Sequence, residues 1–224
     1  MAQPNEHGRL IAAAAKAALA PLGCRRKGQS RFWFADQRFW VLSVEFEPSG
    51  WSKGSYLKVG VSWLWRKPNV RGLDFAERIA DFVPFETTDQ FKARIEQMAV
   101  LAAQRVLELR KQLKSFHEVH RWLMQDATRD GRPIYNAAIA AALVGDVAGA
   151  RQLFERMERW PTYSYDSQLQ LKADSAELAA LLPKPDRFRS AILDLIEKKR
   201  TRIGLPSDLI CLEEANSTIL RLLT

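Results

Sequence analysis

The chain has 224 residues, 47% of them hydrophobic, with a formal net charge of +8 and only two cysteines. That length buries a core without covalent staples, and two isolated thiols do not indicate a secreted disulfide framework; a reducing interior suits Cys24 and Cys211 better, with a single bond between them as the alternative. No uninterrupted apolar stretch approaches the roughly 20 residues of a membrane-spanning helix, so a cytoplasmic protein with no membrane role is expected.

The charge is uneven. Residues 1–71 hold twelve basic and four acidic side chains, while the remainder balances 22 against 22. An excess confined to the first third attracts phosphates or an acidic partner, or serves only as a solvated surface.

From about Asn5 to Leu22 the composition is helical, with Gly23 placed just past the end. Leu10, Ala14, Ala17 and Ala18 share one face of that helix. The run "AAAAKAALA" faintly resembles a secretory leader, but Lys16 interrupts it and Glu6 spoils a basic lead, so an ordinary helix is the expectation.

The period then changes from 3.6 to 2. "SRFWFAD" reads as an aromatic strand, and "QRFWVLSVEFE" alternates, with Trp40, Leu42, Val44 and Phe46 on one face and Ser43, Glu45 and Glu47 on the other. After the turn-rich "PSGWSKG", the segment "SYLKVGVSWLW" alternates again, with Leu57, Val59, Val61, Trp63 and Trp65 in register. Strand, turn and strand without a crossover helix predict an antiparallel meander of three or four strands. Trp63 and Trp65 fall among valines and are read as core; Trp51 sits in the loop beside Lys53, either a lid over the sheet edge or a contact residue.

Beyond Pro68 the pattern reads as helical. "LDFAERIADF" is taken as a short amphipathic stretch, and "VPFE" as a connection or a further edge strand. A long helix is expected from Thr88 to Gln125, its apolar side running through Phe91, Ile95, Met98, Leu101, Ala102, Val106, Leu109 and Leu113, with a possible break between Lys114 and Glu118. "RPIYNAAIAAALVGDVAGARQLFERM" reads as two helices joined at Gly145-Asp146, similar to a single tetratricopeptide hairpin. Two further helices follow on either side of "PKP", and the apolar tail from Pro206 is expected to dock. The fold class is therefore α+β: residues 1–86 form a sheet domain with an N-terminal helix, and residues 87–224 an α-helical region.

Few constellations carry chemistry. His117 and His120 share a helix face, but no third ligand lies nearby in sequence, so no metal site is assigned. Glu45 and Glu47 read as partners in cross-strand ion pairs with Lys58, Arg38 and Arg31 rather than as a catalytic pair. No phosphate-binding glycine loop, nucleophile elbow or cofactor motif occurs, so no catalytic residue is assigned. What remains is "CRRKGQSRFWF", basic groups interleaved with rings. Arg25, Arg26, Lys27, Arg31, Trp51, Lys53 and Lys58 form the candidate binding set. It suits an acidic protein surface in a non-enzymatic interaction module, with nucleic acid as the alternative.

The helix closing in "LGCRRKG", the aromatic strand and the Ser49-Gly50-Trp51 loop between strands resemble a bacterial family known only as a domain of unknown function. Its members carry a Gly-aromatic-basic-basic-x-Gly junction; Cys24 replaces the aromatic here, and Glu47 stands where Gln is common. The likeness covers about residues 5–67. It implies a bacterial cytoplasmic α+β protein and no mechanism.

Overall fold

The computed structural model describes residues 6–67, 72–127, 131–161 and 165–207. The tail beyond residue 207, with Cys211 and any bond between it and Cys24, lies outside them. The chain divides into two compact units, residues 1–62 with 72–110 and residues 63–71 with 111–224.

The first unit begins with α1 (Glu6–Leu19), which tightens into a 3-10 turn (Ala20–Leu22) and stops at Gly23 in the left-handed region at φ 73°. Its buried face is His7, Ile11, Ala14, Ala15 and Leu19 rather than the face through Leu10 and Ala17. In an alanine run the small side chains mark no face strongly, so the few large ones, Ile11 and Leu19, set the rotation.

The sheet has five strands in chain order: β1 (Arg25–Arg26), β2 (Phe32–Asp36), β3 (Trp40–Glu47), β4 (Gly54–Trp63) and β5 (Phe75–Pro84). The expected dry face holds, but Ser43, expected on the wetter face, is buried too and donates to the Gly60 carbonyl at 3.3 Å. Trp40, Leu42, Val44 and Phe46 are buried, as are Leu57, Val59 and Val61. Trp33 and Ala35 join them, opposite Val44 and Leu42. Each fully buried apolar side chain of this kind contributes about 1.5–3 kcal/mol.

The fifth strand corrects the helical reading of "LDFAERIADF". Phe75, Ile79, Phe82 and Val83 satisfy both periods over so short a run. Pairing with β4, from Val61 opposite Phe75 to Gly54 opposite Pro84, decides the matter. The register slips around Leu57, and Pro84, which cannot donate to a ladder, ends an edge strand where that costs least.

Helix α2 (Thr88–Gln112) buries Phe91, Ile95, Met98, Ala99, Ala102, Val106 and Leu109. Leu101, expected on that face, is exposed. Arg105 ties the helix to Glu77 of β5, and Arg110 donates to the Leu22 carbonyl at 2.8 Å.

The second unit is helical: α3 (Phe116–Asp126), α4 (Arg132–Leu143), α5 (Val147–Arg159), α6 (Asp166–Ala179) and α7 (Pro185–Ile203). The break before α3 falls where expected, and Ser115 caps the new helix by accepting from the Glu118 amide, while its hydroxyl meets the Glu118 carboxylate. α4 is buried from Ile134 through Ala141, and its alanines let α3 and α5 approach closely. The α4–α5 hairpin turns at Gly145, with φ 87°, and Asp146 caps α5 through the Gly149 amide at 2.9 Å. Trp63 and Trp65 are core in this unit, stacked 4.8 Å apart at 5°, with the Trp65 indole donating to Asn136 Oδ1 at 3.0 Å.

A candidate binding surface at the loop end of the sheet

Antiparallel order gathers one end of the sheet. β2 starts where β3 finishes, with Phe32 opposite Glu45 and the Phe46 amide donating to the Arg31 carbonyl. The β1–β2 turn (residues 27–31) and the β3–β4 loop (residues 48–53) therefore lie at the same end. β5 finishes there too, since the Phe85 amide donates to the Lys53 carbonyl at 3.0 Å. α1 begins there: His7 packs against the rings of Phe85 and Phe91 at 5.6 and 6.0 Å.

Arg31 is the bracket of this end. Its guanidinium donates to the Gly54 carbonyl at 3.2 Å and to His7 Nε2 at 2.5 Å. Because arginine only donates, His7 Nε2 accepts, and the neutral ring carries its proton on Nδ1. Burial, then the charges of Arg31 and Lys53, hold His7 below the ordinary histidine range, and burial lowers Arg31 as well. Between His7, Arg31 and the β3–β4 loop lies a shallow depression of about 340 Å³.

Trp51 rises from the loop 97% exposed, its amide held by Ser49 Oγ at 3.1 Å. It covers nothing, so it is no lid. Lys53, Arg25 and Lys27 are exposed and have no side-chain partner among the described residues.

The other candidates are already occupied. Arg26 folds onto its own turn, donating to the carbonyls of Ser30 and Gln29 at 2.6 and 2.7 Å. Lys58 bonds Glu47 at 2.7 Å, and Arg78 takes the other oxygen at 2.8 Å while lying 4.0 Å over the Tyr56 ring. The hydrogen bonds from Lys58 and Arg78 hold the Glu47 carboxyl below its ordinary range. The Glu47–Lys58 pair is the cross-strand pair expected. Arg31, however, bonds His7 instead of a glutamate, and Arg38 sits in the β2–β3 turn at the far end, at φ 70°. Of the rings after Lys27, Trp33 is buried and Phe32 and Phe34 are half-buried.

His7 escaped the sequence reading. Its signal was its place in register with Ile11 and Leu19 on the buried face of α1.

A pH dependence follows. A histidine whose folded pKa is lowered stabilises fully above about 6.5 and loses that contribution as pH falls through the folded value. His120, lowered first by burial, has the same sign. Melting temperature is expected to fall by a few degrees between pH 7 and pH 5, and less in His7→Gln, which keeps an acceptor for Arg31 without titrating. Equal losses in the two proteins would contradict the assignment. Glu47 titrates below this window, so it does not blur the comparison.

No family model, curated protein or solved structure matches the chain. Among the described residues no helix is long and apolar enough to cross a membrane.

Proposed function

We propose that the chain is a non-enzymatic interaction module whose loop end takes an acidic patch on a protein partner, with Trp51 as the anchor. The observation that carries this reading is Trp51 at 97% exposure beside Lys53, which has no side-chain partner among the described residues, both lining a depression with Arg31. A large ring held outside the core is costly to leave in water and typical of an interface anchor; tryptophan and arginine dominate such contacts. Lys27 and Arg25 extend the positive surface and supply steering more than affinity. The internally satisfied Arg26 and Lys58 contribute to the fold of the surface rather than to its contacts.

An acidic protein suits this surface better than nucleic acid. Single strands want successive rings on which bases stack, and here Trp51 is fully presented while Phe32 and Phe34 are half-buried and Trp33 is buried. Isolated thiols and the resemblance to a bacterial family favour the bacterial cytoplasm as its setting.

Fluorescence anisotropy with a labelled polyglutamate peptide tests the charge half of the reading. The wild type is expected to bind in a salt-sensitive manner, and Lys27→Glu/Lys53→Glu to bind about tenfold more weakly or worse. Failure of the wild type to bind at low salt contradicts the reading. Tighter binding of a labelled single-stranded oligonucleotide than of the peptide transfers the surface to nucleic acid.

A further inference from the structure

Helix α2 is apolar on two sides. Its buried side runs from Phe91 to Leu109. Away from it, Val100 and Leu107 are each 53% exposed, and Leu101 is 45% exposed. Apart from Trp51, these three are the large apolar side chains that the first unit leaves exposed among the described residues. Single exposed leucines are ordinary, but these are gathered on one helix.

Their spacing is ordered. Ala93, Val100 and Leu107 recur every seven residues, the repeat that keeps a narrow seam facing a second helix. The half-buried Ala103 lies beside that seam, small enough to let another backbone approach. Glu96 stands one turn before Val100, and Lys111 one turn after Leu107, so a charge of opposite sign flanks each end. Both are exposed, and neither has an ion-pair partner among the described residues.

A second copy of the chain complements both the seam and the charges. Laid antiparallel, with a twofold axis between Ala103 and Gln104, it sets Val100 level with Leu107 of the copy and Glu96 level with Lys111 of the copy. Both pairs are symmetric about that one point, so apolar contacts and opposite charges fall into place together, each twice. A parallel copy would instead set Glu96 on Glu96 and Lys111 on Lys111, which is destabilising. We propose that α2 pairs with α2 of a second copy, antiparallel in this register, to form a twofold dimer. Val100, Ala103 and Leu107 make its dry centre, and the two Glu96–Lys111 pairs set direction and register. One helix from each copy buries less than a permanent interface does, so the dimer is reversible and its population rises with concentration. The pairing uses no residue of the loop-end surface.

Sedimentation velocity of the full chain over about a hundredfold range of concentration tests it. The wild type is expected to pass from monomer to dimer across that range. Val100→Glu/Leu107→Glu, on two exposed side chains, is expected to stay monomeric throughout while keeping the helical circular dichroism and melting temperature of the wild type. Glu96→Lys and Lys111→Glu are each expected to weaken association about tenfold, since each sets like charges together twice. An equimolar mixture of those two variants is expected to associate more tightly than either alone, because every charge then meets its opposite across the axis. A wild type that stays monomeric at every concentration overturns the proposal and leaves the seam to a different protein. So does a dimer that Val100→Glu/Leu107→Glu leaves intact, or single-charge variants that associate no better mixed than apart.

Discussion

Trp65→Ala is expected to destabilise the helical unit by about 3–5 kcal/mol, the usual cost of emptying a buried tryptophan site. Trp65 is fully buried, and its ring is held on three sides: stacked on Trp63, 6.5 Å from Phe116, and bonded through Nε1 to Asn136 Oδ1. Alanine leaves a cavity where an indole stood and removes one donor from a buried amide, so the packing and hydrogen-bond losses act together. Trp65→Phe retains most of the packing and is expected to cost less than half as much. Urea unfolding followed by helical circular dichroism measures the difference. A midpoint for Trp65→Ala close to wild type would show that the stacked pair is not core.

Gly54→Ala is the second large effect, expected to cost about 3 kcal/mol through backbone strain and overpacking. Gly54 opens β4 at φ 153°, and a Cβ there would press into the Val83 carbonyl and the Phe82 ring. The half-buried phenyl ring can rotate only against Tyr56, 5.0 Å away, and a strand carbonyl fixed in its ladder cannot move aside. The same residue offers its carbonyl to Arg31, so a shift also disturbs the floor of the depression. Thermal unfolding is expected to show a loss of several degrees. Wild-type stability in Gly54→Ala would mean that the close approach between β4 and β5 relaxes freely.

The contrast between these residues and Trp51 shows what was readable from sequence. β3 and β4 were legible because a period of two with one dry face leaves little choice, and it placed Trp63 and Trp65 in the core while leaving Trp51 outside. β5 was not, because Phe75, Ile79, Phe82 and Val83 fit either period and only the partner strand decides. The face of α1 was missed for a related reason: alanines define no direction, and the burial of His7 depends on Phe85 and Phe91, which lie far along the chain. The candidate surface was legible as charge and not as availability. Arg26 and Lys58 looked the same as Lys27 and Lys53 in sequence, yet the first two are consumed by a turn and by Glu47.

Trp51 stands outside the core, where its expected role is to touch a partner. Trp51→Ala tested in parallel for melting temperature and for affinity toward the labelled acidic peptide examines it most directly. An unchanged melting temperature is expected, since exposed substitutions usually stay within about 0.5 kcal/mol, together with a loss of about tenfold or more in affinity. A fall of several degrees in melting temperature, or an affinity equal to wild type, would contradict it.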